Sequence, residues 1–159
     1  MIRNKNRKLG QRGAALVEFA IGATVFLTAM FGVLECGRAL WTHNALADAA
    51  RRAARYAANQ PASTPPGVVT SGTNVGPSIT AIRNVAVYGD PGGGTTPLVT
   101  NLAPNNIDVQ YTGFGLGEGT VTVTITSYQF QFAVPIIGTT IQMPDYETTL
   151  TAENAGVMP

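Results

Sequence analysis

From Ala14 to Leu34 the chain is apolar without a break, apart from Glu18. As a helix, that run spans about 31 Å, close to the thickness of a hydrocarbon core. The helical pattern does not stop there. From Glu35 to Ala58 there is no Pro, Gly37 is the only helix-weakening residue, and Ala is abundant. Leu40, Ala47, Ala50, Ala54 and Ala57 recur at helical spacing. Arg51, Arg52 and Arg55 occupy another sector, where Asp48 can pair with Arg51 or Arg52. The spacing predicts one continuous helix from Ala14 to Ala58, about 67 Å long and protruding well beyond a bilayer.

The pattern then changes. Residues 59–78 are rich in Pro, Gly, Ser and Thr and read as a linker loop. Ile79, Ile82, Val85 and Ala86 predict a short helix over 79–88, with Ser78 as N-cap. Gly89-Asp90-Pro91-Gly92-Gly93-Gly94 ends it. This glycine cluster lacks the Lys-Ser/Thr of a phosphate-binding loop and reads as a turn. β-like alternation follows. Ile107, Val109 and Tyr111 set one strand. Val121, Val123 and Ile125 set a second, and Tyr128, Phe130, Phe132 and Val134 continue it in the opposite phase. A slip near Ser127 predicts a β-bulge, or else a strand buried on both faces. After Pro135 to Gly138 the alternation resumes at Ile141 and Met143 and continues through Tyr146, Thr148 and Leu150. Pro144 favours an edge position for that last strand. The expected class is α+β: a long N-terminal helix, then a small domain over 79–159 with a short helix on a three-stranded antiparallel sheet. So small a domain forms only a marginal core, so the long helix is expected to supply one wall.

Charge adds topology. The net charge of +1 conceals an asymmetry, because Arg3, Lys5, Arg7, Lys8 and Arg12 crowd a leader (1–13) that has no acid. Beyond Tyr56 the only base is Arg83. Nucleic-acid binding by the distal part is disfavoured, since nothing there neutralises phosphates. A short basic flank stays cytoplasmic, so residues 35–58 and everything after them are expected on the opposite side, the periplasm of a diderm bacterium. Trp41 suits the aromatic belt at the outer interface, and Arg38 can pair with Glu35 or snorkel. The run is longer than a signal-peptide core. The A-x-A pattern at Ala45-Leu46-Ala47 lies too far beyond it, and Glu35 spoils Cys36 as a lipoprotein site, so the helix is expected to be retained. Cys36 is the single Cys and His43 the single His. Seven helical residues apart, they stand about 10.5 Å apart along the axis, too far for a nucleophile–base pair or a zinc site. No pairing among the carboxylates is evident. No catalytic residue, metal, cofactor or small-molecule substrate is expected.

One junction carries most of the functional information. The basic leader closes on Gly13, and Ala14-Ala15-Leu16-Val17-Glu18-Phe19 opens the apolar run. A carboxylate one turn inside a membrane helix is costly and marks a functional site. Gly13 before such a run is the pattern of a prepilin-type processing site. Ala20, Thr24, Thr28 and Gly32 recur every fourth residue, a small-residue face on which helices can pack closely. Together with Ala47-Asp48-Ala49-Ala50-Arg51-Arg52-Ala53-Ala54-Arg55-Tyr56, the stretch from Arg12 resembles the TadE-like family, minor pilins or pseudopilins of the tight-adherence (Flp-type) pilus. Relatives often carry Gly before the last Arg, where this chain has Ala54.

The resemblance implies a pilin-like layout and cleavage by a prepilin peptidase between Gly13 and Ala14, with Glu18 and Phe19 becoming the fifth and sixth mature residues. Cleavage would free an α-amine in an apolar bundle, where Glu18 of the same or a neighbouring subunit can partner it. The implied partners are the peptidase, other pilins or pseudopilins, the pilus assembly platform and the bilayer. The alternative is an uncleaved, single-pass, membrane-anchored scaffold or adhesin-like protein.

Overall fold

The computed structural model describes residues 6–60, 70–76, 78–114, 119–133 and 140–151. The elements in chain order are helix α1 (Asn6–Ala58), strand β1 (Thr70–Thr73), helix α2 (Ile79–Tyr88), and strands β2 (Ile107–Phe114), β3 (Thr120–Ile125), β4 (Gln129–Gln131), β5 (Thr140–Gln142) and β6 (Tyr146–Thr151). A single 3-10 turn, Pro104–Asn106, leads into β2. Two compact units emerge. One comprises Met1–Arg38 with Phe132–Thr139, the other Ala39–Gln131 with Thr140–Pro159.

α1 is longer than its apolar pattern. It begins at Asn6, inside the basic leader, rather than at Ala14. The cause is local: Arg7, Lys8, Leu9, Gln11 and Arg12 are strong helix formers and no Pro intervenes. Gly13 therefore sits in the middle of a helix.

In the second unit, the Ala-rich part of α1 forms one wall of the core, as expected. Leu46, Ala49, Ala50, Ala53, Ala54, Ala57 and Ala58 are buried. The buried sector differs from the expected one at its start: Leu40 is exposed and Ala47 only half-buried. Burial follows the 46–49–50–53–54–57–58 stripe because its side chains, mostly methyls, let the helix approach closely. Arg51 stays outside and pairs with Asp48 at 2.9 Å. Arg52 instead turns inward, and its Nε donates to the Val85 carbonyl of α2 at 3.3 Å.

The sheet has four antiparallel strands in the order β1-β2-β3-β6, with β4 and β5 pairing separately. Three strands were expected. The additional strand is β1, which lies within the stretch read as a linker (59–78). Its sequence Thr-Ser-Gly-Thr carries no alternating apolar signal, and its pairing is held by polar side chains instead. Asn74 donates through Nδ2 to Asp108 Oδ1 at 2.8 Å and accepts the Val109 N–H at 2.9 Å, and the Ser71 hydroxyl accepts the Gly113 N–H. Residues 61–69 of that stretch lie outside the described residues.

β2 and β3 obey the predicted alternation. Ile107, Val109 and Tyr111 face inward opposite Ile125, Val123 and Val121. Burial pushes the Tyr111 hydroxyl up to about 12, so its ring serves the core as a neutral group, against Phe114 at 4.6 Å.

The phase slip near Ser127 is neither a bulge nor a doubly buried strand. Ser127 adopts φ 54°, the chain leaves the four-stranded sheet after Ile125, and β4 pairs with β5 in the other one. Two strands that belong to different sheets have no reason to share a phase. Pro144 marks the return crossing, between β5 and β6, and β6 takes the edge, as expected.

α2 spans the predicted residues and buries Ile82, Val85, Ala86 and Val87. Ser78 precedes it, yet its side chain makes no capping bond. It adopts φ 58°, and its carbonyl accepts the Ile82 N–H. Gly89 closes the helix at φ 81°, its N–H on the Val85 carbonyl. Arg83 Nε donates to the Ile107 carbonyl at 3.0 Å, tying α2 to the start of β2.

This close helix approach yields a test. Ala53 is fully buried, so Ala53→Leu forces extra methylenes into a filled space and should destabilise the second unit by about 1–3 kcal/mol. Chemical denaturation of the full chain in detergent, followed by tyrosine and tryptophan fluorescence, measures this. An unchanged midpoint would contradict the packing described.

Candidate functional site

In the first unit, Gly13, Ala14, Val17, Glu18 and Ile21 line one shallow depression on α1. Helical spacing brings them together: 14, 17, 18 and 21 are linked by steps of three and four, and Gly13 borders them one turn before Val17. The cleavage-site residues and the acid expected from the sequence thus sit side by side. Phe19 is not part of that lining and stands 74 % exposed. Residues 13–20 are all exposed.

A Cβ added at Gly13 would meet nothing within 4 Å. Among the described residues no packing requires glycine there, and glycine costs an isolated helix about 1 kcal/mol relative to Ala, so the helix is weakened at this point.

The small-residue face is self-contained. Thr24 Oγ1 donates to the Ala20 carbonyl, and Thr28 Oγ1 to the Thr24 carbonyl, each at 2.8 Å. With both hydroxyls satisfied by the helix's own backbone, the stripe presents methyl groups and can enter an apolar surrounding without leaving a donor bare. Ala20 and Thr24 are exposed, while Thr28 and Gly32 are half-buried.

The most apolar stretch of α1 has a mean hydropathy of 1.9, and none of it is buried. A core helix of a water-soluble domain would be covered. An uncovered helix long enough to cross a membrane fits a membrane anchor.

Sequence reasoning missed one polar junction. Glu35 is buried, at 6 % exposure. Its Oε1 accepts from Arg38 at 2.9 Å, the expected i,i+3 pair, and also from the Ala133 backbone N–H at 3.2 Å. Oε2 is buried without a hydrogen-bond partner among the described residues. The carboxylate therefore ties the end of the apolar run to a segment 98 residues further along the chain. No local pattern announces such a bond. The one available signal was an acid placed directly after an apolar run.

Of the chain's single Cys and single His, the His carries a structural contact. Cys36 is free and exposed. In the second unit, His43 Nδ1 lies 2.8 Å from the Tyr146 hydroxyl, with the rings edge to face at 5.1 Å, which fastens edge strand β6 to α1. Burial, and to a lesser degree the neighbouring Tyr128, hold the Tyr146 hydroxyl above its ordinary value, so it stays a neutral partner for His43 at physiological pH. Among the described residues, no group of three His, Cys, Asp or Glu side chains gathers as a metal site.

A membrane-anchoring helix with a buried-face extension and a small β-rich domain is the class that these observations define. The family model described as TadE-like protein matches residues 13–55. The match begins at Gly13, runs through the apolar stretch and ends at Arg55, so it covers both motifs on which the sequence resembles that family except their outer residues Arg12 and Tyr56. The sheet-bearing part lies beyond it. The matched family is a pilus-associated structural one. No curated protein and no solved structure matches the chain.

The Glu35 junction can be tested directly. Glu35→Ala removes the acceptor of the Ala133 N–H, a part-buried bond, and a hydrogen bond of this kind contributes about 0.5–1.5 kcal/mol net. Hydrogen exchange of the Ala133 amide, measured in nanodiscs, should accelerate in the variant. Equal protection in both proteins would show that Glu35 does not hold this segment.

Proposed function

We propose that this chain is a non-enzymatic minor pilin or pseudopilin of a tight-adherence (Flp-type) pilus. A prepilin peptidase cuts it between Gly13 and Ala14, and its helix then packs among other pilins or against the assembly platform. The observation that carries this reading is the depression lined by Gly13, Ala14 and Glu18 at the start of the uncovered apolar run, within a segment that matches the TadE-like family model.

The physical logic supports both steps. The basic leader pins the helix to the cytoplasmic surface, because five cations cannot follow it into lipid. Removing that leader releases the tether and creates a charged amine at the new helix start. Glu18 lies one turn further along the same face, where it can neutralise an amine of its own or an adjacent subunit. An acid and an amine that are each costly in lipid become tolerable together. The self-satisfied Ala20–Thr24–Thr28–Gly32 face supports close helix packing. In this reading the C-terminal unit stands in the periplasm, or on the filament if the subunit is incorporated, and presents its sheet to partners.

The uncleaved anchored scaffold makes opposite predictions. Gly13→Arg blocks processing and should abolish piliation while leaving the protein in the membrane fraction, and Glu18→Ala should be processed yet fail to support pili. Electron microscopy of fibres, with immunoblots of membrane fractions, reads both. Normal fibres in the two variants would overturn the proposal in favour of the scaffold.

A further inference from the structure

We propose that the groove between Trp41 and Leu98 is a second lipid contact, which rests the C-terminal unit on the interfacial layer of the bilayer that α1 crosses. This rests on the membrane-anchor reading and adds to it a surface and a partner.

Trp41 and Leu98 are among the exposed large apolar residues of this unit, at 61 % and 51 %, and they line the same groove. Leu98 is held in place. Its N–H donates to the Val87 carbonyl at 2.8 Å, and its Cδ1 lies so near Gly89 that a Cβ there would come within 3.1 Å. Its neighbour Val99 is 2 % exposed and locked in the core. A leucine held on both sides keeps its side chain at the surface.

The bilayer is the occupant that fits, for two reasons. The first is depth. Trp41 follows Leu34 by seven helical residues, about 10 Å of rise, and helical side chains point back toward the N-terminus. That returns the indole to the interfacial layer flanking the hydrocarbon core. The second is the gradient along the groove. Its helix wall reads Trp41, then Asn44 and Ala45, then Asp48 and Arg52, from apolar to charged with distance from the membrane run. A protein partner needs no such axial order, whereas a lipid–water boundary imposes it.

Trp41 is the chain's single Trp, which makes the test clean. The full chain is reconstituted into phosphatidylcholine–phosphatidylglycerol vesicles with bromines high on the acyl chains. Trp41 in the wild type and the indole in a Trp41→Phe/Leu98→Trp variant should each lose at least half of their emission. Leu98→Asp alone should reduce the quenching of Trp41, which answers the same question if the double variant misfolds by circular dichroism. Quenching of Trp41 without quenching at position 98, and no effect of Leu98→Asp, would overturn the lipid contact and leave the anchor standing. Protection at position 98 that ignores bromine but rises with protein-to-lipid ratio would overturn it in favour of a second copy. Failure to quench Trp41 itself would overturn the anchor reading.

Discussion

Most of the apolar surface of residues 14–34 is left uncovered by the described residues. Its side chains stand exposed along most of the run: Leu16, Val17, Phe19, Ile21, Val25, Phe26, Val33 and Leu34 each show more than half of their surface. Burying a leucine-sized side chain is worth about 1.5–3 kcal/mol, so leaving this surface in water would cost far more than the whole stability of an ordinary small domain. The helix therefore suits lipid or a layer of other apolar helices. The proposed roles of the single acid in the run, the small-residue face and the basic leader all depend on that surrounding.

One helix answers to two surroundings. Up to Leu34 its composition suits lipid: large apolar residues outward, hydroxyls turned onto the backbone. Beyond Ala45 it turns to alanine, and the buried methyls of Ala49, Ala50, Ala53, Ala54, Ala57 and Ala58 give a domain too small for an independent core one wall of its interior. The residues between are the polar fastenings. Glu35 and Arg38 serve the first unit, and His43, bonded to Tyr146, serves the second.

Much of this was legible in the sequence where a local rule governed it. The bounds of α2 follow from its apolar spacing and from Gly89. The inward positions of β2 and β3 follow from strict alternation, and the edge position of β6 from Pro144. What escaped was non-local. The phase change at Ser127 marks a strand leaving for another sheet, which a one-dimensional pattern cannot distinguish from a bulge. β1 is set by Asn74 and Ser71 bonding to β2, so it carries no apolar signature. Ser78 sits where a cap belongs but takes a left-handed conformation instead. The Glu35–Ala133 bond joins positions far apart in the chain. At the candidate site, the sequence singled out Gly13, Ala14 and Glu18 by their order along the chain, and all three line one depression on α1. The sequence did not show that the helix runs through Gly13 into the leader.

That continuity sharpens the central claim. Gly13 lies within an unbroken helix and lines the same depression as Glu18, and a Cβ there would meet nothing among the described residues; the proposed reason for its being glycine is recognition by a peptidase. Intact-mass spectrometry of the polypeptide extracted from its native membranes tests this most directly. The account predicts a chain that begins at Ala14, with the basic segment gone. A mass that retains the leader, in cells that assemble pili normally, would contradict it.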